Sequence, residues 1–122
     1  MSTTTNEPTR TALVTGGTSG IGWATATLLA REGVHVVVSG RDAERGAKVV
    51  AEIEGTGGRA DFVAADLGDE ASARALARTA LERTGGHLDV LVNNAGVFPF
   101  GPTDETTEAS FDSVFAVNVK AP

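Results

Sequence analysis

The run Val34-His-Val-Val-Val-Ser39 leaves the chain little freedom in how it folds. A β-branched run this continuous is unsuited to lie half-exposed on a sheet surface. It needs cover on both sides, which is the condition of a parallel strand sandwiched between helices. The flanking sequence supplies that cover. Gly20 to Glu32 carries Ile21, Ala24 and Leu28 at helical spacing and stops at Gly33. Asp42 opens a second helix to about Glu54, with Ala43, Gly46, Ala47 and Val50 as its apolar stripe and Gly55 to Gly58 as its stop. Asp69 caps a third, to about Thr84, in which Ala73, Leu76, Ala77 and Ala80 share a face opposite Glu70, Arg74, Arg78 and Glu82. Thr107 caps a fourth through Lys120, where Glu108 favours the helix dipole.

Between these helices lie three more apolar strands, Thr11–Thr15, Arg59–Ala65 and Leu88–Val92. Alternation of this kind predicts right-handed βαβ crossovers and an α/β fold: a Rossmann-like, doubly wound parallel sheet in three αβα layers. There is no internal repeat, and 122 residues make one domain at most. Residues 1–9 read as a flexible polar tail and 10–122 as the domain.

Composition narrows the function. Ten scattered basic residues against sixteen acidic ones give a net charge of −6, which argues against a nucleic-acid or anionic-membrane partner. With no cysteine there is no disulfide, thiolate or cysteine-metal chemistry. No signal peptide or membrane-spanning run is present, so the expected location is cytoplasmic. His35 and His87 are too far apart in sequence to indicate a metal, and His35 reads as a surface strand residue. Trp23, the sole tryptophan, reads as a packing residue.

Ligands of doubly wound sheets bind outside the carboxyl ends of the strands. Four clusters meet there: Gly16 to Ile21, Ser39 to Arg41, Asp66-Leu67 and Asn93 to Gly96. The first follows the strand Thr11–Thr15 in the spacing G-x-x-x-G-x-G, with glycines at 16, 20 and 22 that let backbone approach an anion at the next helix's positive end. A phosphotransferase P-loop is set aside because Trp23 stands where its lysine must be. The second strand ends in Ser39-Gly40-Arg41 without the acid that would accept a ribose 2′-hydroxyl. Arginine's fork suits a 2′-phosphate, so the sequence favours NADP over NAD. Asp42 is better used as a cap. Asp66 could accept from an adenine amino group or simply open a helix. Asn93 and Asn94 could bridge backbone segments. Asn118 shares a helical face with Phe111, Val114 and Phe115, where a buried amide needs a partner.

Thr15-Gly-Gly-Thr-Ser-Gly-Ile-Gly22, Asp66-Leu67, Asn93-Asn-Ala-Gly96 and Val117-Asn118-Val119, in that order, resemble the short-chain dehydrogenase/reductase family from about Thr11 to Pro122. The resemblance implies an oxidoreductase moving hydride between NAD(P)(H) and a small alcohol or carbonyl compound, with subunits that often pair. It implies pyrophosphate binding by Gly16, Thr18, Ser19, Gly20, Ile21 and Gly22. It further implies adenine contact at Asp66 and Leu67, and contact with the cofactor's ribose side at Asn93, Ala95 and Gly96. Asn118 would match the family's active-site asparagine, which holds a water in a relay to the catalytic lysine. The family's catalytic serine and Y-x-x-x-K motif have no counterpart: they fall beyond the position of Pro122, and the chain has no tyrosine. Without that proton donor the chain is expected to be inactive alone, an N-terminal portion cut after the fourth strand and following helix. Its bare fourth strand would leave it marginally stable and prone to associate. The competing expectation is a non-catalytic nucleotide-binding or interaction module that uses the half-fold as it stands.

Overall fold

The computed structural model describes residues 9–95, 107–109, 112 and 116–117. Its elements are β1 (Thr11–Thr15), α1 (Gly20–Arg31), β2 (His35–Gly40), α2 (Ala43–Gly55), β3 (Arg59–Ala64), α3 (Glu70–Arg83) and β4 (Val90–Asn93). All strand pairs are parallel, in the order β3-β2-β1-β4. The fold is therefore the α/β, Rossmann-like one that the alternation predicts. Most of the predicted fourth helix lies outside the described residues.

The valine run behaves as its sequence demands. Val36, Val37 and Val38 are all fully buried. Val36 and Val38 pack with Ala26, Ala30, Val49 and Ile53 on the α1–α2 side, whereas Val37 packs with Leu13, Leu76 and Ala80 beneath α3. Alternate residues of one strand thus feed two separate cores. Each such side chain contributes roughly 1.5–3 kcal/mol by burial, which favours a place for this strand inside the sheet.

Two helices have the expected period but a different phase. α1 buries Gly22, Ala26 and Ala30, and leaves Ile21 77% and Leu28 60% exposed. The smallest residues, not the most apolar, face the sheet because they let the helix approach it closely. α2 buries Gly46, Val49 and Ile53, while Ala43 and Ala47 are exposed. Gly46 lies under the Phe62 ring, which a Cβ there would meet at 2.3 Å. α3 keeps the predicted face at Leu76 and Ala80, although Ala77 is exposed.

The aspartate caps form as read. Asp42 accepts the amides of Glu44 and Arg45, and Asp69 accepts that of Ser72. The Ser72 amide, and then its hydroxyl, hold the Asp69 carboxyl below its ordinary value. Its stabilising effect is therefore present above the unfolded-chain value and is lost in acid, as pH falls through the lowered folded value.

His35 is not a surface residue. It is 2% exposed, and its Nε2 lies 2.6 Å from Asp61 Oδ2, while Arg83 reaches Asp61 Oδ1 at 3.4 Å. A ring buried at the start of the strand needs a local hydrogen-bond partner. Asp61→Ala removes that partner and is expected to lower the unfolding free energy by about 1 kcal/mol, read from urea denaturation. Trp23 is partly exposed, at 40%, and donates from Nε1 to Glu52 at 2.9 Å, linking α1 to α2.

β4 begins two residues later than its apolar run. Asp89 is used instead as a connector, its carboxylate accepting the Thr11 amide at 2.8 Å and its own amide donating to Thr11 at 2.9 Å. Among the described residues β4 has one strand neighbour, and Leu91 on it is 53% exposed.

Candidate functional site

β1 delivers the chain to Gly16, whose φ of +63° is a conformation that favours glycine. The turn then reaches α1 through Ser19. This helix starts differently from the other two: Ser19 makes no side-chain cap, and the first turn holds no acidic residue. The free amides and dipole of that end suit an anionic ligand.

The neighbouring strand ends are tied to this turn. Thr15 Oγ1 accepts the amides of Asn94 and Ala95 at 3.0 and 3.1 Å and donates to the Val92 carbonyl at 3.3 Å. Asn94 Nδ2 donates to the Gly16 carbonyl at 3.1 Å. The Gly17 amide donates to Ser39, and the Ala65 amide to Gly40, at 3.1 and 3.0 Å. Every strand end is thereby joined to the next.

Above them opens a cavity of about 1350 Å³. Gly16, Thr18, Ser19, Arg41, Asp66, Leu67 and Ala95 line it, as do Ser39, Gly40, Asp42, Arg45 and Gly68, with Asp112, Ala116 and Val117 on the far side. Seven of the residues singled out in the sequence are therefore brought together. Gly20, Ile21 and Gly22 form the first turn of α1 rather than the cavity wall. Asn93 ends β4 and lines a smaller cleft of about 110 Å³ with Leu13, Thr15 and Leu67. Gly96 and Asn118 lie outside the described residues. Asp66 is exposed and accepts the Gly68 amide at 3.0 Å, which turns the chain toward α3. Asp42 is committed to its cap, and among the described residues Arg41 has no bonded partner.

Sequence reading missed the work of Thr15 and the position of Arg45. A hydroxyl closing an apolar strand just before a glycine turn is the signal that could have found Thr15. Among the described residues no group of three or more histidine or acidic side chains could hold a metal, and no helix is long and apolar enough to cross a membrane.

A parallel sheet with a glycine turn feeding an uncapped helix, and a cavity across its carboxyl edge, defines a Rossmann-like α/β protein. The sequence profile of the short chain dehydrogenase family matches residues 10–122. The chain belongs to that family. It is 40% identical over 113 residues to an uncharacterized oxidoreductase of Thermotoga maritima, covering 93% of this chain and 44% of that protein. A metagenomic short-chain oxidoreductase crystallised with NADP superposes with a TM-score of 0.87 at 43% identity, covering 93% of this chain and 51% of the other. A Burkholderia cenocepacia short chain dehydrogenase, also in complex with NADP, matches with a TM-score of 0.87 at 43% identity, over 92% and 46%. The chain thus spans about half the length of the relatives it matches.

Proposed function

We propose that residues 10–122 belong to the NADP(H)-binding domain of an oxidoreductase acting on a small alcohol or carbonyl compound. The observation that carries this reading is Arg41, which lines the cavity at the end of β2 without a competing partner, while the adjacent Asp42 carboxylate is turned into the start of α2. The 43% identity to two proteins crystallised with NADP supports it. The dinucleotide, when bound, supplies the hydride for a carbonyl compound or takes it up from an alcohol. The chain's own residues fit such a ligand. The uncapped α1 amides would hold the pyrophosphate, Gly16 and Gly22 let the turn, Asn94 and Ala95 pack closely beside it, and Asp66 and Leu67 would contact the adenine. Gly96 would join the ribose side. Asn118 would take the family's water-holding role.

The absence of tyrosine leaves no phenolic proton donor for a carbonyl oxygen. These 122 residues are accordingly expected to bind cofactor without turnover. With one tryptophan and no tyrosine, emission from Trp23 reports binding cleanly. Titration should show NADPH binding more tightly than NADH. Arg41→Ala should weaken NADPH about tenfold and leave NADH nearly unchanged. Equal affinities, unaffected by that substitution, would refute the NADP assignment, and NADPH oxidation by the pure chain with any aldehyde or ketone would refute the inactivity. A genuine stop after codon 122 would favour the non-catalytic binding module instead.

A further inference from the structure

We propose that Arg45 is a second specificity-determining residue of this site, a movable arm that leaves Asp42 to share the 2′-phosphate with Arg41. The proposal rests on the NADP reading above. Arg45 is the third residue of α2 and lines the same cavity as Arg41 and Asp42. Its Nε lies 3.8 Å from Asp42 Oδ2, beyond hydrogen-bond reach, and the two side chains are 66% and 52% exposed. An exposed pair at that separation holds weakly, so the guanidinium can turn away from it at little cost.

The charges in the cavity mouth give the arm its purpose. Asp42 caps α2 through Oδ1, but its carboxylate still lines the cavity beside Arg41, and a 2′-phosphate bound in the same cleft would be repelled by that charge. Asp42 Oδ1 is occupied by the amides of Glu44 and Arg45, at 2.9 and 3.2 Å, but among the described residues no hydrogen bond reaches Oδ2. Arg41 alone would balance only the carboxylate. With Arg45 added, Arg41, Asp42 and Arg45 together carry one net positive charge and offer two planar forks for the phosphate oxygens. A cofactor without the 2′-phosphate gives Arg45 nothing to grasp, and the arm stays beside Asp42.

The test compares adenosine 2′,5′-bisphosphate with adenosine 5′-monophosphate by calorimetric titration of the 122-residue chain, each variant first matched to the parent by circular dichroism. Arg45→Ala should weaken the bisphosphate about tenfold and the monophosphate less than about twofold, with Arg45→Lys in between. Asp42→Asn keeps a capping side chain and removes the repelling charge, so it should tighten the bisphosphate about threefold. Unchanged bisphosphate affinity in Arg45→Ala, beside a loss in Arg41→Ala, overturns the arm and leaves the NADP reading standing. A parent chain that binds both nucleotides equally overturns both.

Discussion

Gly22→Ala is expected to abolish dinucleotide binding and to lower the unfolding free energy by about 2–4 kcal/mol. A Cβ at this position would lie 2.1 Å from the Gly16 carbonyl oxygen and 2.5 Å from Asn94 Nδ2. The first of these atoms is backbone and cannot rotate aside. Alanine favours a helix interior by only about 1 kcal/mol over glycine, so propensity loses to overlap. Relief requires α1 to lift from the turn, which pulls its free amides out of register with the cavity and breaks the Asn94–Gly16 bond. Gly55→Ala is the control: nothing lies within 4 Å of its Cβ, and the change should be neutral or slightly stabilising. Urea denaturation with NADPH titration checks both. Unaltered midpoint and affinity in Gly22→Ala would sink the steric account.

Thr15→Val should cost about 2–4 kcal/mol although it barely alters shape. Thr15 is 5% exposed, and its hydroxyl is the hydrogen-bond partner of the Ala95 amide and one of two for the Asn94 amide. Valine leaves the first without a partner and the second with only its 3.1 Å bond to the Val92 carbonyl. It also removes the donor to the Val92 carbonyl. Thr15→Ser restores the oxygen and should recover most of the loss. A denaturation midpoint for Thr15→Val equal to the parent's would show that water replaces the hydroxyl freely.

Much of this architecture is legible because it depends on local rules. The Val36–Val38 run has one solution, a covered parallel strand, and Asp42 and Asp69 cap by short contacts between near neighbours. The meeting of Gly16, Arg41, Asp66 and Ala95 follows from sheet topology alone. What escaped the sequence depends on distances between elements. Ile21 and Leu28 look like a core stripe by hydrophobicity, yet Ala26 and Ala30 win the sheet face because close approach rewards small side chains. His35 finds Asp61 one strand over, 26 residues away, and Asp61 in turn meets Arg83 at the end of α3. Arg45 reads as one more charge on a solvated helix until the cavity's position is known. β4 starts late because Asp89 is taken up by Thr11, a cross-strand bond that no periodicity encodes.

The bonds that join the strand ends, Thr15 to Asn94 and Ala95, Gly17 to Ser39, and Ala65 to Gly40, bear on the entropy of binding. Loops that stay loose until a ligand arrives surrender conformational freedom at that moment, and affinity falls by the same amount. Here that freedom is given up when the chain folds. Contacts made later by the α1 amides would therefore carry little loop-ordering cost, whereas the exposed arginine side chains would still lose rotamer freedom when they engage a ligand.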